Sequence, residues 1–112
     1  MISVADESGE YIFFVTSPNI ETSRKLAQVV VGEKIAACVN IVPGITSMYW
    51  WKGQIDESQE NLLIIKTTGQ NAEKLKEAIR TNHPYETPEC VGFPITEGLE
   101  KYRAWIHDSV EE

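Results

Sequence analysis

The sequence has few cysteines and no cysteine pair at metal-binding or redox spacing. Its 112 residues include two cysteines, Cys38 and Cys90, each in an apolar stretch. One possible pair is too few for a disulfide framework, and the lack of a CxxC motif excludes a zinc finger or a thioredoxin-type centre. We therefore expect two reduced thiols that are not joined to each other.

Long apolar runs and an excess of basic residues are also missing. No run approaches the roughly 20 residues of a membrane span, and residues 1–10 lack the basic start and apolar core of a signal peptide. Ten Lys and Arg against seventeen Asp and Glu give a net charge of −7, which repels phosphate. These absences predict a cytoplasmic protein that binds neither nucleic acid nor membranes.

The composition that remains is that of a folded protein. Hydrophobic residues make up 42% and charged residues 24% of the chain, which is ordinary for a globular domain. The chain contains no internal repeat and no linker rich in Pro, Gly or Ser. We expect a single domain over residues 1–112, with residues 1–10 as a flexible N-terminal segment.

The first half of the chain predicts a strand, a helix and a long hairpin. Residues 11–16 are aromatic and β-branched, as in a central strand, and Asn19 is a good N-cap for a helix to about Glu33. A second strand over residues 35–42 is interrupted at Pro43 and Gly44, which implies a bulge. It resumes over residues 45–51, and a turn at Lys52 and Gly53 leads into a third strand over residues 54–68. The helix has apolar or small side chains at helical spacing, namely Ser23, Leu26, Ala27 and Val30, followed by Lys34.

The second half predicts a helix, a strand and a closing helix. Asn71 is a candidate N-cap, and Pro84 ends the helix. Residues 89–95 form the last strand, and an amphipathic helix follows. The expected inward side chains are Leu75, Ala78 and Ile79 in the first of these helices and Leu99, Tyr102, Trp105 and Ile106 in the second. The order βαββαβ plus a C-terminal helix predicts an α+β, ferredoxin-like fold, an antiparallel sheet with helices on one face.

The hairpin is too long for one compact domain. Residues 35–51 would span about 50 Å or more at roughly 3.3 Å per residue, whereas a domain of this size is roughly 35 Å across. Its tip carries five apolar or aromatic side chains, Met48, Tyr49, Trp50, Trp51 and Ile55. Because such a tip is unfavourable in water, we expect an oligomer in which hairpins pack on neighbouring subunits.

Three blocks of the sequence resemble the CutA family of proteins linked to divalent-cation tolerance. The blocks are Ala-Ala-Cys-Val-Asn at 36–40 with its continuation to Gly53, then Glu60 with Ile-Ile-Lys-Thr at 64–67, and His-Pro-Tyr-Glu-Thr-Pro-Glu at 83–89. The resemblance covers residues 11–105. It implies a ferredoxin-like fold, a homotrimer with intersubunit β-pairing, binding of copper and other divalent ions, no required cofactor and no accepted enzymatic activity.

His83 is the leading candidate for a metal ligand. Imidazole suits copper and zinc, and Glu86 and Glu89 follow closely in the sequence. The alternative is a histidine at a helix end whose charge complements the helix dipole. Some members of the family resembled carry a cysteine and a second histidine where this chain has Val15 and Asn82. We therefore expect weak, histidine-dependent Cu²⁺ binding and no closed site.

The other metal candidates have plainer explanations. The Cys38 thiol is a possible fourth ligand, but a buried cysteine more often packs as a small hydrophobe, and core packing is the favoured interpretation. Cys90 is expected in the core. His107 stands beside Asp108 near an acidic tail and is expected on a solvated face.

A second candidate site combines Trp51, Lys66, Tyr85 and Glu89, all within the family-like blocks. These side chains could line a pocket between subunits, although a Lys–Glu pair can equally be structural. No catalytic triad, phosphate-binding glycine loop or paired-carboxylate motif is present, so we expect no enzyme.

Three functions remain open. The first is a cytosolic trimeric metal-binding protein of the metal-tolerance type, as the resemblance implies. The second is a trimeric sensor of a small ligand bound between subunits. The third is a scaffold whose trimer presents a surface to another partner.

Overall fold

The structure is a computed structural model that describes residues 8–112. A 3-10 turn at Gly69–Asn71 precedes the second helix. The elements in chain order are β1 (Glu10–Ser17), α1 (Ile20–Gly32), β2 (Cys38–Trp51), β3 (Gln54–Thr68), α2 (Ala72–Asn82), β4 (Val91–Pro94) and α3 (Glu100–Ser109). This order confirms the predicted βαββαβ pattern with an additional helix.

The four strands form one antiparallel sheet in the order β2-β3-β1-β4. The strand predicted to be central, β1, lies between β3 and β4 and pairs with both. With both α1 and α2 packed on one face, this is the ferredoxin-like arrangement expected from the sequence.

The core lies between the helices and one face of the sheet. Alternate residues of β1 and β3 are buried, as a strand with one fully covered face requires. The cluster comprises Tyr11, Phe13, Val15, Leu26, Val30, Ala36, Leu63, Ile65, Leu75 and Ile79. We call the opposite side of the sheet the second face. Its residues on β1 and β3, such as Phe14 and Ile64, are half-buried.

Helix α1 begins and ends with hydrogen bonds that the sequence explains. The Asn19 side chain accepts a bond of 2.7 Å from the Thr22 amide, which confirms the predicted N-cap. At the other end the Lys34 amide donates to Val31 and the Ile35 amide to Val30. This is the Schellman pattern, and it places Lys34 in the left-handed region with φ of 58°.

Helix α2 does not begin as the sequence predicted. Asn71 occupies the N-cap position, but its side chain makes no capping bond. The side-chain Nδ2 atom of Asn71 instead donates to the backbone carbonyls of Ile35 and Glu111, at 3.0 Å each. The prediction of a side-chain cap is wrong because two carbonyls from distant segments hold the side-chain amide group of Asn71, and its oxygen does not reach a backbone amide of α2.

Several element boundaries differ from the predictions. Strand β2 begins at Cys38 because the amides of Ile35 and Ala36 donate back to the Val30 carbonyl in the turn after α1. Strand β4 is shorter than predicted. The expected flexible segment is also too long, since Glu10 is a buried residue of β1. Residues 1–7 of that segment lie outside the described residues.

The hairpin of β2 and β3 extends beyond the sheet body, as its length predicted. A register shift separates Val42 from Ile45, and Gly44 has φ of 75°, which confirms the bulge. Beyond it the two strands pair with each other and with no other described strand. At the tip, Trp50 is 73% and Trp51 is 59% exposed. The molecule measures 43 × 38 × 25 Å as a result of this extension.

Helix α3 packs on the sheet with little of its surface. Ile106 is its one fully buried side chain. Three other side chains expected to face inward, Leu99, Tyr102 and Trp105, are exposed, so the predicted apolar face is largely uncovered in the single chain. Within residues 8–112, none of the helices combines the length and hydropathy needed to cross a membrane.

The two cysteines are free thiols and are not joined, as predicted. Cys90 packs against the core, which confirms its expected position. Cys38 does not belong to that core cluster. It pairs in register with Lys66, whose side chain points to the second face, so the favoured core-packing interpretation of Cys38 is wrong.

Candidate functional site on the second face of the sheet

One polar cluster lies where the long hairpin leaves the sheet. The Glu60 side chain is buried there, and the Tyr85 hydroxyl donates to its Oε2 atom at 2.9 Å. Burial and this hydrogen bond raise the pKa of Tyr85 to about 12. The phenol therefore stays protonated at neutral pH and serves as a hydrogen-bond donor.

His83 holds this cluster in position. Its Nε2 atom lies 2.7 Å from the carbonyl oxygen of Thr16, so Nε2 carries the proton. Its Nδ1 atom accepts a bond of 3.1 Å from the Tyr85 amide, and the two rings are in contact, with centroids 4.7 Å apart. Both ring nitrogens are thus engaged within the chain. The structure gives His83 a positioning role and leaves no free lone pair for a metal ion.

The predicted metal ligands are not brought together in one chain. Glu86 and Glu89 are exposed in the segment after α2. Cys38 pairs with Lys66 on β3. Lys66 is six residues from Glu60 along this strand, so Cys38 lies about 20 Å from the cluster of Glu60, Tyr85 and His83. Among residues 8–112, no group of three or more His, Cys, Asp or Glu side chains is arranged to hold a metal ion. The set of His83, Glu86, Glu89 and Cys38 is therefore not a preformed site within the single chain.

A second polar cluster lies at the opposite end of the second face. The Lys66 ammonium donates to Oδ1 of Asn40, and the Cys38 thiol lies 3.8 Å from the same oxygen. The Tyr102 phenol of α3 lies beside Cys38, and its pKa is raised by burial and by this neighbour. A cation, a thiol and a phenol are therefore gathered within a small area.

The residues of the predicted pocket are far apart within one chain. Trp51 pairs with Gln54 at the hairpin tip, and Gln54 is twelve residues from Lys66 along β3, or about 40 Å. Lys66 bonds to Asn40 and not to Glu89. A pocket that contains Trp51, Lys66, Tyr85 and Glu89 can therefore form only from more than one copy of the chain.

A band of half-buried apolar side chains lies between the two polar clusters. It comprises Ile12, Phe14, Leu62 and Ile64, with the exposed Val91 and Phe93 of β4 beside it. The Phe14 and Phe93 rings meet edge to face at 5.4 Å. A surface with polar groups at its ends and apolar groups at its centre suits either a ligand or a second protein surface.

The sequence analysis missed the buried Glu10 and misplaced His107. Glu10 is buried and accepts hydrogen bonds from Arg103 and from His107, the latter at 2.7 Å. The expectation of a solvated His107 is therefore wrong. The i, i+4 spacing of Arg103 and His107 was the available signal, because it places both on one side of α3.

The comparisons with known proteins agree on one family. A family model described as "CutA1 divalent ion tolerance protein" matches residues 11–109. The chain is 46% identical over 100 residues to the divalent-cation tolerance protein CutA of Thermus thermophilus, covering 89% of this chain and 97% of that protein. It is 49% identical over 98 residues to the chloroplastic protein CutA of Arabidopsis thaliana, covering 88% of this chain but 54% of that protein. The chain thus spans about half the length of such plant relatives.

Solved structures agree with the sequence relatives. The CutA1 structure from Oryza sativa matches with a TM-score of 0.91 at 43% identity, covering 95% of this chain and 97% of that one. The Cut A1 structure from Thermus thermophilus matches with a TM-score of 0.89 at 45% identity, covering 91% and 99%. With a family match over residues 11–109 and such relatives over most of its length, the chain belongs to the CutA1 divalent ion tolerance family.

Proposed function

We propose that this protein is a cytoplasmic homotrimer that binds divalent cations, copper among them, in metal tolerance and catalyses no reaction. The family supports the connection with divalent cations, and relatives from bacteria are named divalent-cation tolerance proteins. The net charge of −7 favours cations over anions at the surface.

The assembly is supported by surfaces that one chain leaves uncovered. The hairpin tip exposes Trp50 and Trp51, and the second face exposes its apolar band. The exposed tryptophans of the hairpin tip carry the proposal, because a neighbouring copy would remove their apolar surface from water. The number of subunits, three, is what the family resemblance implies.

Cation binding in this protein is weak and uses surface carboxylates. His83 has both nitrogens engaged, while Glu86 and Glu89 are exposed and form no ion pair with residues 8–112. Carboxylate oxygens from one chain alone make an incomplete site, and a neighbouring copy would supply further ligands. This arrangement predicts a low affinity that depends on the trimer.

Calorimetric titration of the metal-free protein with Cu²⁺ and Zn²⁺ tests this proposal. We expect weak binding that falls in a Glu86→Gln, Glu89→Gln double variant and persists in the control Glu21→Gln, an exposed carboxylate on α1. If His83→Ala alone abolishes binding while the trimer persists, the ligand assignment is wrong. If no divalent cation gives a binding signal, the function is wrong.

The second candidate is a trimeric sensor of a small ligand held between subunits. The observation that favours it is the fixed hydrogen bond between Tyr85 and Glu60, which presents a polar group beside the apolar band. A metabolite that raises the melting temperature in the presence of EDTA, and no longer does so in Lys66→Ala, would favour this function. A scaffold would respond to neither metal nor metabolite and would instead bind another protein.

A further inference from the structure

Glu60 is a buried carboxylate that its own chain does not neutralise. It is only 8% exposed. Among residues 8–112 the uncharged Tyr85 hydroxyl alone donates to its side chain, and no lysine, arginine or histidine forms an ion pair with it. A charge removed from water is costly unless an opposite charge lies beside it. Glu60 therefore indicates a cationic partner that comes from outside its own chain.

Lys66 is a complementary charge at the other end of the second face. It is the only basic residue in the four described strands, and it lies on the same side of β3 as Glu60 because the two are an even number of residues apart. Lys66 is half-buried. Its ammonium donates to the uncharged Asn40 side chain, and no carboxylate of the described chain forms an ion pair with it.

The two charges cannot neutralise each other within one chain. Six residues of extended strand separate Glu60 from Lys66, which is about 20 Å. The second-face residues between them, Leu62 and Ile64, belong to the apolar band. When a neighbouring copy covers this band, the charges at its two ends also lose water, and each then needs an opposite charge.

A closed ring of identical subunits supplies that opposite charge. In such a ring each interface joins two different patches of the chain, and the same two patches meet at every interface. A face with a carboxylate at one end and an ammonium at the other fits this head-to-tail contact, because the Glu60 end of one copy can meet the Lys66 end of the next. Every interface then has the same ion pair.

We propose that Glu60 of each copy forms an ion pair with Lys66 of the neighbouring copy. The pair rests on the proposed homotrimer and identifies a contact that its subunits make. The Tyr85 hydroxyl fixes the carboxylate, and the Asn40 side chain fixes the ammonium, before the copies meet. Each copy gives its carboxylate to one neighbour and its ammonium to the other.

A double-mutant cycle on the assembled protein tests the pair. Glu60→Gln removes the charge but keeps an acceptor for the Tyr85 hydroxyl, and Lys66→Met removes the charge but keeps most of the apolar stem. Ordinary and ¹⁵N-labelled trimers are mixed in EDTA, and native mass spectrometry follows subunit exchange. We expect each substitution to speed exchange by about tenfold or more, and the double variant to exchange no faster than the faster single variant.

Non-additive effects in this cycle identify a contact between copies. The two residues lie about 20 Å apart in one chain, and substitutions at that distance are normally additive. Glu57→Gln and Lys25→Met remove exposed charges away from the second face and should exchange as the wild type does. Additive effects in an intact trimer would overturn the pair and leave the proposed assembly standing. A wild type that sediments as a monomer would overturn both.

If a substituted chain does not fold, the wild type decides. A trimer assembled from ordinary and ¹⁵N-labelled chains is treated with a carbodiimide, which joins a carboxylate and an amine in contact through an amide bond with loss of water. A cross-linked peptide pair that joins Glu60 of one label to Lys66 of the other supports the ion pair. If no such pair with mixed labels is found, the ion pair is refuted.

Discussion

Replacing both tryptophans of the hairpin tip with serine should dissociate the assembly. A tryptophan side chain offers about 250 Å², and Trp50 and Trp51 expose 73% and 59% of theirs. Burying the exposed part is worth about 4.5 and 3.7 kcal/mol at ~25 cal/mol per Å². If a neighbouring copy covers half of this area, the double substitution costs about 4 kcal/mol per contact, or about three decades in dissociation constant.

Sedimentation velocity over a dilution series measures this effect. We expect the wild type to sediment at three times the chain mass of 12.6 kDa and the Trp50→Ser, Trp51→Ser variant to dissociate at concentrations where the wild type does not. Leu99→Ser, another highly exposed apolar side chain, is the matched control and should stay assembled. A wild-type monomer at micromolar concentration, or a double variant that dissociates no earlier than the wild type, would refute the reasoning.

Three further predictions concern single positions. Gly92→Ala should lower the urea midpoint strongly, because an added Cβ would lie 2.5 Å from the buried Phe13 ring; an unchanged midpoint would mean that the ring moves freely. Lys34→Gly should raise the free energy of unfolding by about 0.5–1 kcal/mol, because residue 34 is left-handed with φ of 58°, and a loss of stability would contradict this. For Glu10, burial raises the pKa, but the hydrogen bonds from α3 outweigh burial and lower it overall. Its contribution to stability is therefore present above the ordinary carboxyl range and lost as pH falls through the lowered pKa. Urea unfolding at a series of pH values should show a smaller loss of stability in acid for Glu10→Gln than for the wild type, and an equal loss would contradict this.

The order of the elements could be predicted because local signals agree with the tertiary structure. The Asn19 cap, the bulge at Pro43 and Gly44 and the turn at Lys52 and Gly53 each depend on the conformational preferences of nearby residues. Such preferences are visible in a short window of sequence, and the structure confirms all three.

The polar contacts could not be predicted because they join segments distant in the sequence. The Asn71 amide bonds to Ile35 and Glu111, and Glu10 bonds to α3 near the other end of the chain. A side chain that can cap a helix locally is redirected when a buried carbonyl elsewhere needs a donor. The Thr16 carbonyl that bonds to His83 is likewise distant in the sequence, on β1.

The partners of the candidate site residues could not be predicted. Tyr85, Lys66 and Cys38 were candidates from the sequence, but the structure places them beside Glu60, Asn40 and Tyr102, which the sequence analysis did not foresee. Burial of the site residues also depends on how copies of the chain assemble. A single sequence indicates assembly only through apolar side chains that the folded chain leaves exposed.

The bulge in β2 lets this strand hold one residue more than its partner. Between Val42 and Ile45, β2 advances by three residues while β3 advances by two, from Leu62 to Glu60. Because paired residues of an antiparallel ladder point to the same side, deleting the extra residue would restore regular pairing and leave Trp50 opposite Ile55 on its present side. A single-residue deletion elsewhere between the bulge and Trp50 would instead shift the register and turn side chains to the opposite side. Natural variation by one residue should therefore be concentrated at the bulge.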